Sequence, residues 1–488
     1  MVIESLKYKI LQQFGFAPTQ EQGQALDTFV SFLTDRDPQA VMILRGSAGT
    51  GKTSLSGAIV RALLQIRQKV MLLAPTGRAA KVFSLGSGAP AYTIHRRIYR
   101  EKAFAGVDGQ FSLNDNLYTD TLFMVDEASM IANMGLGGTT FGSGCLLDDL
   151  VKFVYQGHND RLLLIGDKAQ LPPVGEEESP ALSASVMEGY GLKVYECDLN
   201  EVLRQSQSSG ILYNATLIRQ MITHDAVTGL PLIRFKGFAD IVMMPGAELV
   251  ESLGDSYHHV GMDETMVITR SNKRANIYNN GIRNMVLDRE EELSSGDMLM
   301  IVKNNYFWTE KEKKESGEGS AGAVPAFLAN GDRAKVLRVS NYIELYGFRF
   351  ATLLLQLPDY DDYEMQVTGM LDTLQSEAPA LTHEQQEELF RQVEEDYQHV
   401  VPLKADRMKS IRQDAYFNAL QIKYAYAVTC HKAQGGQWAH VYVDQGYMTD
   451  DMLTPDYIHW LYTAFTRATD KLFLVNWPKE QTCEPTDL

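Results

Sequence analysis

Four short apolar runs punctuate the first third of the chain, at 40–44, 70–74, 122–125 and 162–165. Runs of four or five apolar residues bounded by turn-forming residues predict buried strands, and the segments between them are long enough for helices. The pattern predicts an α/β unit built on a parallel sheet. Each run ends in a polar cluster: GSAGTGKT, PTGRAAK, DEASM and GDKAQLPPV, in chain order. Ligands of open parallel sheets sit off the carboxyl ends of the strands, so the four clusters are expected to share one crevice. A helix is expected over 55–66, and Leu6, Ile10 and Phe14 recur at helical spacing near the N-terminus.

The pattern changes between 96 and 118, where two short runs flank Gly106-Val107-Asp108-Gly109. This is a hairpin signal inserted into the α/β unit. The glycine-rich stretch 135–144 reads as a loop. A second α/β unit is expected from about residue 200, with strands at 266–269, 440–443 and 472–475. It is interrupted over 292–418 by a short β-rich part (298–302, 334–339, 342–345), a flexible stretch (311–322) and an acidic helical region. The expected domains are 1–95 with 119–199, the hairpin 96–118, 200–291 with 419–488, and the insertion 292–418.

At 488 residues the chain is too long for one ordinary core. Its composition, 45% hydrophobic and 22% charged, is that of a soluble globular protein, with no apolar stretch long enough to span a bilayer. The N-terminus lacks the apolar core of a secretory signal. Four cysteines, never in CxxC pairs, argue against a zinc site or a disulfide framework and for a reducing cytoplasm. The net charge of −17 speaks against a nucleic-acid partner until its distribution is seen. Residues 356–400 hold twelve acids against one base, Arg391, so the other 443 residues carry only −6. A solvated face is the plain reading of that run.

GSAGTGKT, 46–53, fits the phosphate-binding P-loop at every position, between an apolar strand and a helix. Its glycines let backbone N–H groups converge on phosphate oxygens, and the following helix adds its dipole. Gly46, Ser47, Ala48, Gly49, Thr50, Gly51, Lys52, Thr53 and Ser54 are therefore expected to bind ATP. Lys52 would reach the β- and γ-phosphates, and Thr53 would ligate Mg²⁺. Asp126 and Glu127 close a strand and supply the second half of an ATPase centre: Asp126 toward Mg²⁺, Glu127 polarising the attacking water. In GDKAQLPPV, Asp167 and Gln170 end a strand in position to sense the γ-phosphate.

Taken in order, these blocks resemble the superfamily 1 helicases of the 5′-to-3′ subgroup, above all RecD-like and bacteriophage Dda-like enzymes. Further matching blocks are PTQEQ (18–22), APTGRAAK (74–81), TIH (93–95), LNEVLRQ (199–205), CHKAQG (430–435) and YTAFTRA (462–468). The resemblance implies two RecA-like domains and makes Gln22 the adenine-reading glutamine. It makes Arg204 and Arg467 arginine fingers, and lets Gln434 and Gly435 complete the nucleotide side. It also implies that single-stranded DNA contacts Pro75, Thr76, Thr93 and His95, then Thr429, His431 and Lys432. The hairpin corresponds to a strand-separating pin with Phe104 or Phe111 as wedge, core packing of the insertion being the alternative. The 292–418 insertion corresponds to an accessory barrel of Src-homology type. Its acidic run would repel the strand, mimic phosphate toward a protein partner, or simply be solvated.

The implied activity is ATP-dependent unwinding of forked DNA by a monomer moving 5′ to 3′. The direction comes from the resemblance alone. Two other readings stand beside it: an RNA-directed or non-unwinding translocase, and a nucleotide-switched binding module.

Overall fold

The computed structural model describes residues 2–105, 108–135, 142–201, 208–223, 229–316, 325 and 327–483. The chain forms two compact units, Met1–Met244 with Ala433–Leu488, and Pro245–Lys432.

A six-stranded sheet organises the first unit, in the order Ala91–Thr93, Lys69–Ala74, Thr121–Val125, Arg161–Gly166, Ala40–Gly46, Lys193–Leu199. All of its pairings are parallel. Successive strand residues point to opposite faces, and both faces are covered. Met42, Leu44, Leu122, Met124, Leu163 and Ile165 enter one core with the helices Val2–Phe14, Gln20–Leu33 and Lys52–Gln65. Val41, Ile43, Phe123, Val125, Leu162 and Leu164 enter the other, against the Leu146–Gln156 helix. This is why the strands read as unbroken apolar runs. The expected amphipathic N-terminal helix forms, with Leu6, Ile10 and Phe14 buried. The four strands that carry the polar clusters are immediate neighbours in the middle of the sheet.

The unit also holds a parallel set, Ile241–Met244, Ala468–Val475 and Trp438–Asp444. The hairpin is present as Tyr99–Ala105 paired with Asp108–Leu113.

The second unit contains a parallel pair, Thr265–Thr269 with Ala427–Thr429, and a closed five-stranded barrel. The barrel strands are Met298–Ile301, Arg333–Leu345, Phe348–Leu357, Tyr363–Met370 and Leu420–Tyr424. Two sequence expectations are corrected here. A strand at Tyr363–Met370 occupies part of the stretch read as acidic and helical, and a strand at Phe348–Leu357, just before it, was not expected. Residues 311–316, read as flexible, belong to the helix Phe307–Ser316. The acidic helix itself is His383–Val400, opened by a Thr382–Gln385 capping box. It buries Leu389 and Val393 against Phe350, Met370 and Ile411, while Glu384, Glu387, Glu395 and Asp396 are exposed.

Candidate nucleotide site

The P-loop leaves the Ala40–Gly46 strand and runs into the Lys52–Gln65 helix. Gly49 and Gly51 hold φ of 78° and 76°, a left-handed conformation in which a side chain is strained. At Gly46 the constraint is space: a Cβ would lie 2.9 Å from Thr50 Oγ1 and 3.2 Å from Leu199 Cβ. Thr50 closes the loop by donating its hydroxyl to the Ser47 carbonyl at 2.8 Å. Lys52 Nζ reaches back to the Gly46 carbonyl at 2.8 Å, so its charge stands over the loop.

Asp126 and Glu127 follow the adjoining strand. Asp126 is buried, and its Oδ1 accepts the Glu127 N–H at 2.9 Å. Burial first, then the Glu127 carboxylate, push the Asp126 pKa up to about 6, against the pull of Lys52. Glu127 has φ 52° and ψ 37°, a left-handed conformation that costs a glutamate about 1–2 kcal/mol. Its Oε2 is buried with no hydrogen-bond partner among the described residues, and the same is true of Gln170 Oε1. Buried polar atoms are normally paired, and two orphans lining one cavity mark where an absent ligand fits.

That cavity, about 420 Å³, is lined by Ser47, Ala48, Gly49, Gly51, Lys52, Thr53 and Ser54, by Asp126, Glu127, Asp167 and Gln170, and by Thr466 and Arg467. Three of the four strand-end clusters therefore converge as expected. The fourth, 75–81, does not line it. Arg467 is 2% exposed and fully engaged: Nε donates to the Thr463 carbonyl, one terminal nitrogen to the Gly436 carbonyl and the other to Thr466 Oγ1, at 3.1–3.2 Å. The guanidinium is held in the cavity wall by its own segment. Arg204 lies outside the described residues.

The remaining nucleotide candidates sit one step back. Gln22 completes a capping box with Thr19, accepting the Thr19 N–H at 3.0 Å, and donates to the Thr50 carbonyl at 2.9 Å. Its amide thus braces the P-loop and is buried, with no place in the cavity lining. Gln434 donates to the Leu171 carbonyl at 2.7 Å, supporting the turn after Gln170. Gly435, at φ 72°, lies where a Cβ would be 3.1 Å from Thr76 Oγ1.

Of the residues expected to touch DNA, Thr76 and Thr93 are helix N-caps, for Gly77–Ser87 and Ile94–Ile98, with half-buried Pro75 and His95 beside them. Burial lowers the His95 pKa to about 4, so this ring is neutral at physiological pH. In the second unit, His431 is exposed and Thr429 and Lys432 are half-buried. Burial, with Lys423 nearby, lowers the Lys432 pKa to about 8. Phe111 packs, partly buried, against the core beneath the hairpin, and Phe104 faces Gly109 in the ladder register.

Sequence reasoning missed two contacts on the P-loop. Tyr462 accepts the Ala48 N–H at 3.0 Å, and Arg219 donates to Ser47 Oγ at 2.9 Å. Tyr462 stands inside the YTAFTRA block, so the motif carried a signal. Arg219 lies on the Gly210–Thr223 helix in no motif at all.

Comparison with known proteins agrees with this geometry. Residues 17–229 match the AAA domain family, and residues 424–475 match the UvrD-like helicase C-terminal domain. The chain is 30% identical over 157 residues to the ATP-dependent RecD2 DNA helicase of Deinococcus radiodurans, covering 32% of this chain and 18% of that protein. It is 26% identical over 267 residues to the ATP-dependent DNA helicase dda of Enterobacteria phage T4, covering 53% and 55%. An uncharacterized Acanthamoeba polyphaga mimivirus protein, R530, is 22% identical and covers 90% of this chain and 96% of its own length. Among solved structures, a Bacteroides Pif1 helicase in complex with ADP-AlF3 and ssDNA aligns over 96% of this chain, at 13% identity and a TM-score of 0.45. The chain thus spans about half or less of the two relatives named as helicases. With an AAA-type ATPase segment followed by a UvrD-like C-terminal segment, and both bearing on one P-loop cavity, the chain is similar to the superfamily 1 helicases related to RecD and Dda.

Proposed function

We propose that this protein is an ATP-driven motor that moves 5′ to 3′ on single-stranded DNA and opens forked duplex, acting as a cytoplasmic monomer. The observation that carries the reading is the pair of orphaned buried oxygens, Glu127 Oε2 and Gln170 Oε1, in a cavity that Lys52 and Arg467 both line.

Each residue has a defined task there. Lys52 and the P-loop N–H groups hold the triphosphate. Glu127 takes the proton of the attacking water, and Gln170 orients that water beside the γ-phosphate. Arg467 neutralises charge that develops as the terminal phosphate departs. Thr53 and Asp126 fit a Mg²⁺ site, since a buried carboxylate crowded by a second one gains most from a cation. The ion would supply charge neutralisation on the phosphate oxygens. The DNA path is proposed over Pro75, Thr76, Thr93 and His95 and over Thr429, His431 and Lys432. Hydroxyls, backbone N–H groups and few cations hold a backbone loosely enough for it to slide. The exposed acids of the His383–Val400 helix are read as a solvated face.

Two measurements test this. ATP hydrolysis should rise with single-stranded DNA, and Glu127→Gln should lower the stimulated rate by about 10²-fold or more while ADP still binds. A duplex with a 5′ tail should be unwound in preference to one with a 3′ tail; the opposite preference refutes the direction.

A further inference from the structure

Tyr462 and Thr463, consecutive on the Pro455–Phe465 helix, connect three parts of the nucleotide site that are far apart in sequence. Both are fully buried, at 1% and 0% exposure. The Tyr462 hydroxyl accepts the P-loop N–H of Ala48 at 3.0 Å and donates to Asp167 Oδ2 at 2.7 Å. Asp167 Oδ1 in turn accepts the Ala169 N–H at 3.0 Å, and its carbonyl accepts the Gln170 N–H at 3.2 Å, which shapes the turn presenting Gln170. Thr463 Oγ1 accepts the Leu171 N–H at 2.8 Å, at the far end of that turn. The Thr463 carbonyl accepts Nε of Arg467 at 3.1 Å.

We propose that Tyr462 is a positioning residue for hydrolysis: it sets the P-loop, the Gln170 turn and, through Thr463, Arg467 in one register, so that a change at the loop is felt at the other two. A phenol suits the place because it is donor and acceptor at once. It satisfies a main-chain N–H and a buried carboxylate with one atom. The proposal rests on the ATPase reading above and adds a residue to it. Tyr462 itself need not touch the reacting phosphate.

The test is Tyr462→Phe, which keeps the ring and removes both hydrogen bonds. Misplacement on the ångström scale costs up to about 10²-fold in rate, so kcat for ATP should fall about tenfold or more. Equilibrium ADP affinity and single-stranded DNA affinity should stay within about threefold. Tyr457→Phe is the control, since Tyr457 on the same helix donates a buried hydrogen bond to Gln445 Oε1 at 2.6 Å, away from the site. It should leave kcat within about twofold. A Tyr462→Phe enzyme with wild-type kcat, or an equal loss in Tyr457→Phe, overturns the proposal. Should Tyr462→Phe fail to fold, Asp167→Asn decides, because it keeps an acceptor for the phenol without the charge. It should lower kcat by about threefold at retained ADP affinity, and an unchanged kcat overturns the proposal. A wild-type enzyme whose hydrolysis ignores DNA sinks the motor reading instead, and the same kcat comparison then runs on the basal rate.

Discussion

A lysine grips a phosphate only while it keeps its proton, and Lys432 keeps its own less firmly than an exposed lysine does. Its pKa is lowered to about 8 by burial and by Lys423, so the charge is present below that pH and lost as pH rises through it. His95, lowered to about 4, adds no change between pH 5 and 8. If Lys432 holds the strand as proposed, affinity for single-stranded DNA is flat from pH 6 to 7.5 and weakens about tenfold by pH 9. Lys432→Arg, charged throughout, should flatten that profile. Fluorescence anisotropy on a labelled oligonucleotide reads both, and parallel profiles for the two proteins would remove Lys432 from the DNA path. None of this was visible in the motif, which names the lysine without its surroundings.

In the barrel, one buried acid is Asp332, which immediately precedes the Arg333–Leu345 strand. It is 1% exposed, its Oδ2 accepts the Ala329 N–H at 2.7 Å and the Tyr360 hydroxyl at 2.6 Å, and its Oδ1 has no partner among the described residues. Burial raises its pKa to about 7, with a further push from Asp359. The folded state therefore holds this proton more tightly than the unfolded chain does. The stabilisation is complete below the unfolded pKa near 4 and is lost as pH rises through 7. Asp332→Asn should accordingly raise the thermal midpoint at pH 8, by a free-energy gain of up to ~4 kcal/mol, and should change little at pH 4.5. A gain equal at both pH values would exclude charge burial as its cause. The barrel also explains why two strands escaped the sequence reading. Phe348–Leu357 reads as an apolar mass with little alternation, and Tyr363–Met370 sits among the acids of the turn that joins them. A closed barrel buries one face of each strand whatever the chain's local charge.

At the scale of the whole molecule, the nucleotide cavity joins residues from both ends of the chain, Ser47 and Arg467 among them. Arg467 spends its three nitrogens on Thr463, Gly436 and Thr466, a fork that a lysine cannot reproduce. If it acts as an arginine finger, as proposed, it should be intolerant of charge-conserving change: Arg467→Lys should lower DNA-stimulated hydrolysis by about 10³-fold, with ADP affinity within about threefold. Stopped-flow phosphate release checks the rate, and a loss under tenfold would assign the arginine to packing. The compact units divide at Met244 and Lys432. The 433–488 segment packs with residues 1–244 because its side chains complete hydrogen bonds at Ala48, Asp167 and Leu171.

Short-range chemistry was legible from the residues: the P-loop, the acidic pair after its strand, the central strands and the hairpin all follow from local period and turn composition. Those features arise within about a dozen residues, where backbone geometry and burial pattern leave few alternatives. The bracing of the P-loop by Gln22, the bridge from Ala48 through Tyr462 to Asp167, and the altered proton affinities of Lys432 and Asp332 emerged only on folding. Each depends on groups brought together across long stretches of chain or on exclusion of water, and neither leaves a periodic trace in the order of residues.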